Sequence, residues 1–260
     1  MAFGIVWYSA SVDNRYSWLI FIPVTLLVVL YVFHGPLDYW WHKKFPPRLE
    51  PEIIKWLTRH FPWYNTLSGG EKTKFEQRLA LYTSARLFQS VGKEKNDNVP
   101  EDIKCMVAAH AIQMTLGLED FLIGDLDRVF LYKHPFPTPD MPWLHNVEVN
   151  MEDGVLILSM EQLINAIIRP DIFYNTASHA YAEALIHLYP ELRNTDIADP
   201  WTGLKALYNW DKDYVLKSTG YKDTADHVVH LHAFFKDQEK YLTKYPEQFL
   251  HFTKILNTPG

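Results

Sequence analysis

The chain has 260 residues, 48% of them hydrophobic and 15% aromatic, with a formal net charge of -6. This allows one large domain or two small ones with a sizeable core, and it excludes global disorder. The acidic balance argues against a nucleic-acid partner, and the single cysteine, Cys105, excludes an internal disulfide framework and fits a reducing compartment.

The run WLIFIPVTLLVVLYVF, from Trp18 to Phe33, carries no charge. Extended to Leu37, it has the length of a membrane-spanning helix at ~1.5 Å per residue. Trp18 marks one end, and Tyr39, Trp40 and Trp41 mark the other, as amphipathic rings do at bilayer interfaces. Pro23 is compatible with a spanning helix. No basic start or small-residue cleavage pattern points to a signal peptide, so the segment reads as a retained anchor. Only Arg15 precedes it, whereas Lys43, Lys44, Arg48 and Lys55 follow. The positive-inside rule then predicts a single-pass protein of the inner membrane, with the N-terminus outside and the rest in the cytoplasm. The expected organisation is an outer tail over 1–17, the span over 18–37, a juxtamembrane linker and helix over 38–58, and a cytoplasmic domain over 59–260.

Beyond the proline-rich FPPRLEP (45–51), the stretch 52–61 has the pattern of a short amphipathic helix. Ser68 and Glu71 form a capping-box pattern, which predicts a helix running to about Phe88 with Phe75, Leu79 and Tyr82 on its core face. The charged stretch VGKEKNDN (91–98) reads as a loop, and Pro100 opens a helix to about Leu116. RVFLY (128–132) reads as a buried strand, and 147–159 as a hairpin around an Asp-Gly turn. Helices are predicted over 160–168, 173–189, 200–217, 224–241 and 246–256. Helices, a small sheet and helices again make an α+β domain.

The segment NTASHAYAEAL (175–185) resembles half of a metal site. His179 and Glu183 stand one helical turn apart, whereas hydrolytic zinc helices carry H-E-x-x-H. Four stretches are, in order, RHFPWYNTLSGGEKTKFEQRLALYTSARLF, GLEDFLIGDLDRVFLY, the hairpin ending GVLILS, and NTASHAYAEAL. Together they resemble the Mlc titration factor A family over about residues 59–257. The resemblance implies a zincin-like metallopeptidase fold with a small mixed sheet and surrounding helices. It also implies a zinc held by two histidines and a glutamate, and a catalytic glutamate beside the first histidine. Of that set only His179 stands unchanged. The catalytic position is Ala180, the second histidine is Glu183, and the third ligand, aligned through Phe234 and Phe235, falls on Ala225.

A catalytic zinc needs about three protein ligands and an open position for water. His179 and Glu183 can supply two. Asp226, His187 and His230 are the available substitutes, although His187 lies two turns from His179, too far to share one ion with it. His227, His230 and His232 read as a solvated helix face. Ala180 offers no group to take a proton from water. The favoured reading is a catalytically inactive, membrane-anchored peptidase homologue without a cofactor. It would work as a structural or regulatory binding subunit beside membrane lipid and an integral membrane protein. The alternative is an active membrane-tethered zinc peptidase using His179 and Glu183.

Overall fold

The computed structural model describes residues 21–33, 40–41, 44–45, 48–92 and 98–258. The chain divides into two units, Met1–Pro46 and Pro47–Gly260. In the first unit, helix α1 spans Phe21–Val32 and is uncharged and largely apolar. Its 12 residues extend about 18 Å, short of the roughly 30 Å hydrocarbon core of a bilayer. Among the described residues no helix is long and apolar enough to cross a membrane. The expected spanning helix over 18–37, and with it the single-pass inner-membrane location, is therefore corrected. The length of uninterrupted helix decides spanning, and the described helix is shorter than the apolar run. Of the expected interfacial residues, Trp40 and Trp41 are exposed and the Lys44 ammonium sits 5.5 Å from the Trp40 ring centroid. Trp18 and Lys43 lie outside the described residues.

The second unit is α+β. Helix α2 (Pro51–His60) places Ile53 and Leu57 in the core, and the short α3 (Pro62–Thr66) buries Tyr64. Helix α4 (Gly69–Ala85) starts at the expected capping box: the Ser68 side chain accepts from the Glu71 N–H, and the Glu71 carboxylate accepts from the Ser68 N–H. Phe75, Leu79 and Tyr82 are all fully buried. The helix ends at Ala85 rather than near Phe88, because Leu87–Val91 is taken into the sheet as strand β1. Helix α5 (Glu101–Thr115) is buried nearly all round, including Cys105, as suits a helix in the middle of a core.

Strands β2 (Arg128–Tyr132), β3 (Val147–Asn150) and β4 (Val155–Ser159) complete a four-stranded sheet of order β1-β2-β4-β3. β1 and β4 flank β2 in parallel, and β3 runs antiparallel to β4 at the edge. Val129, Leu131, Leu156 and Leu158 alternate into the core with the two-residue period of strands. The expected hairpin turn closes through Gly154 at φ 65°.

Helices α6 (Met160–Ile168) and α7 (Thr176–Leu188) follow. α7 packs against α5, α10 and β3, and Ala177, Ala180, Tyr181, Ala182, Ala184 and Leu185 are at most 1% exposed. The predicted helix over 200–217 is two, α8 (Pro200–Tyr208) and α9 (Lys212–Thr219), parted where Asn209 takes left-handed backbone at φ 58°. The predicted helix over 224–241 likewise divides into α10 (Asp226–Lys236) and α11 (Gln238–Lys244) at the extended Asp237, which caps α11. Helix α12 (Pro246–Leu256) closes the unit.

Candidate functional site

The Asn175 side chain accepts from the Ser178 N–H and so begins α7. This start sets His179 on the first full turn and Glu183 one turn on, both toward the segment between α9 and α10. His179 is fully buried. The Tyr174 hydroxyl lies 2.8 Å from its Nδ1, and the Thr224 hydroxyl lies 3.5 Å from its Nε2, at the limit of a hydrogen bond. A neutral imidazole with one donor and one acceptor nitrogen satisfies both partners.

Glu183 is bound by a residue from the same segment: the Tyr221 hydroxyl donates to its Oε2 at 3.2 Å. Gly220 sets the direction of this approach. It ends α9 with φ 82°, and a Cβ there would stand 2.4 Å from the His145 Cα. Only glycine allows both the turn and the close packing. The Gly220 carbonyl accepts from the Trp143 indole at 2.7 Å, which anchors the turn. The Tyr221 ring also meets His179 edge-on, 5.8 Å between centroids.

Burial governs the electrostatics. It holds His179 neutral, with its pKa pushed down to about 3. Burial also raises the Glu183 carboxyl to about 7, and the Tyr221 hydroxyl bond offsets part of that rise. His232 is 2% exposed, and its ring contacts Tyr174 at 4.6 Å and Trp210 at 4.8 Å. Burial, followed by the nearby His179, keeps it neutral as well. His179, Glu183, Tyr174, Tyr221 and His232 thus form an internal layer of uncharged or weakly acidic groups.

The donors in this layer do not fit a catalytic zinc. Both His179 nitrogens face protein partners, Glu183 is held by Tyr221, and Ala180, at 0% exposure, presents a methyl group. Ala225 lies just outside α10 as its N-cap, and Asp226 is the first helical residue. His187 is exposed toward the far end of α7. The imidazole of His230 points away, with Nδ1 2.9 Å from the Tyr241 hydroxyl and Nε2 2.9 Å from the Pro200 carbonyl. Among the described residues no group of three or more His, Cys, Asp or Glu side chains is placed to hold one metal ion. The expected solvated face of α10 is also corrected: His230 and His232 are buried, and His227 bonds the Thr195 carbonyl at 2.8 Å. α10 lies between α7 and α8, so both of its sides are covered.

Sequence reasoning missed a cavity of about 680 Å³ beside this layer. His232 and the start of α7 form part of its wall, as does His110 from α5. The Asn175 amide donates to the His110 Nε2 at 3.0 Å, which leaves Nδ1–H to donate to the Ser178 hydroxyl at 3.1 Å. No sequence signal marks the cavity, because its walls come from segments far apart in the chain. The chain matches no model of a known protein family, and no curated protein matches it significantly.

Proposed function

We propose that the second unit is a catalytically inactive relative of the zincin-like peptidases that works by binding other proteins, as a structural or regulatory subunit. Ala180 carries the reading. The resemblance to the Mlc titration factor A family places the catalytic glutamate there, and a buried methyl group cannot take a proton from water or deliver one to a leaving amine. Further support comes from His179, buried with both ring nitrogens facing protein hydroxyls, and from Glu183, half-buried with one carboxylate oxygen bonded to Tyr221. A group already bonded within the protein stabilises a fold more readily than it turns over a substrate. Membrane anchorage has no part in this reading, and the membrane partner expected with it has no independent support.

The test uses the full chain, incubated with denatured casein and with fluorogenic peptides, with and without added zinc. No hydrolysis above the blank is expected. Turnover that rises with zinc and vanishes in His179→Ala would overturn the claim of inactivity. Affinity capture followed by size-exclusion chromatography addresses binding. The expected result is a partner that co-elutes at fixed stoichiometry, and elution of the chain alone at every concentration would count against a subunit role.

A further inference from the structure

The cavity of about 680 Å³ lies within the second unit, where the end of α2, the start of α7, the end of α8 and the last turns of α10 meet. We propose that it binds a small monoanionic ligand, a carboxylate carried on a flat apolar body. This goes beyond the protein-binding reading and does not depend on it.

Size and walls come first. Small-molecule sites occupy ~300–1,000 Å³ and are mostly apolar, with a few placed polar groups. Phe61, Trp63, Phe173 and Trp210 contribute aromatic surface to this one. Rings on several sides favour a planar apolar body, which stacks or meets them edge-on.

Charge selects the anion. Lys205, Lys236 and Lys240 line the cavity, together with Asp171 and Asp237. Lys205 pairs with Asp211 at 3.0 Å, and Lys240 pairs with Asp237 at 3.0 Å. Lys236 differs from both. Its ammonium donates to the neutral Pro170 carbonyl at 2.8 Å and lies 5.5 Å from the Trp210 ring centroid, with no carboxylate bonded to it among the described residues. Partial burial lowers its pKa, and the charges of the nearby Asp171 and Asp237, neither of them bonded to it, offset only part of that effect. A carboxylate in the cavity would give Lys236 a charge-assisted bond.

Two further features of the wall agree. Asn175, the N-cap of the 13-residue α7, and Ser178 in its first turn line the cavity, and the helix dipole there favours negative charge. His232, on the same wall, is 2% exposed and its Nδ1 has no hydrogen-bond partner. A buried polar atom left unpaired is uncommon and calls for a partner the protein does not supply.

The experiment is isothermal calorimetry on the full chain with 1-naphthoate and with 1-naphthamide, its neutral isostere. One-site saturable binding of the acid is expected, with the amide weaker by about tenfold or more, the loss expected for a charge-assisted bond. Lys236→Met should weaken the acid to the level of the amide and leave the amide unchanged. Ala206→Trp, placed at an exposed position on the cavity wall, should fill the space and weaken both ligands. The proposal is overturned if the acid gives no saturable heat, if acid and amide bind equally, or if Lys236→Met binds the acid like the unaltered chain. The acid-against-amide comparison needs no variant, so it decides the matter even if Lys236→Met does not fold.

Discussion

Tyr221 donates its hydroxyl to the Glu183 carboxylate at 3.2 Å. The side chain standing where the resemblance places a metal-binding histidine is therefore tied to the segment that joins α9 to α10. The bond links the central helix to that segment and favours the ionised carboxylate, but burial outweighs it and favours the neutral form.

Glu183 makes stability depend on pH. Its carboxyl titrates at about 7 in the fold against an ordinary 4.5, chiefly through burial. Between those values the folded chain keeps a proton that the unfolded chain has released. This contribution to stability is fully present below about 4.5 and is lost as pH rises to about 7, on the order of 3 kcal/mol. Glu183→Gln keeps the shape and removes the titration. Urea unfolding near pH 4.5 and near pH 8 should show the variant gaining on the unaltered chain by that order as pH rises. A constant gap between the two proteins would show that Glu183 is not held neutral.

Introducing the zinc-peptidase motif should damage the fold before it brings any chemistry. Ala180 has 0% exposure, so Ala180→Glu places a carboxylate among apolar groups with no partner provided. The cost is expected to exceed about 3 kcal/mol. Ala180→Glu combined with Glu183→His should melt well below the unaltered chain and hydrolyse no peptide. An unchanged melting temperature would mean that the position is roomier than its burial indicates.

Zinc content tests the donor set directly. Protein purified without chelator should carry far less than one zinc per chain, because His179 and Glu183 are engaged by Tyr174 and Tyr221. Elemental analysis reads this. A stoichiometric zinc that is lost in His179→Ala would show those bonds giving way to the metal.

Ala225 offers a gain of stability. It is the N-cap of α10, has extended backbone and is exposed, and its side chain caps nothing. Ala225→Ser should stabilise the protein by about 1 kcal/mol by accepting from an N–H of the first turn. Chemical denaturation measures it. A loss of stability would mean that the side chain packs against a neighbour or that the helix begins elsewhere.

What the sequence determined by itself is local. The Ser68–Glu71 capping box, the hairpin closed by Gly154 and the core face of Phe75, Leu79 and Tyr82 all depend on neighbours within a few residues. The spacing of His179 and Glu183 along one helix was legible for the same reason. Tertiary structure decided the rest. Leu87–Val91 became a strand because Arg128–Tyr132, some forty residues on, supplies its hydrogen-bond partners. The long predicted helices over 200–217 and 224–241 each divided, at Asn209 and Asp237, where the chain turns to pack. The meaning of His179 and Glu183 was least legible. Whether such a pair binds metal or stabilises a core depends on Tyr174, Tyr221 and Thr224, and folding alone brings Tyr221 and Thr224, about forty residues away, to within bonding distance.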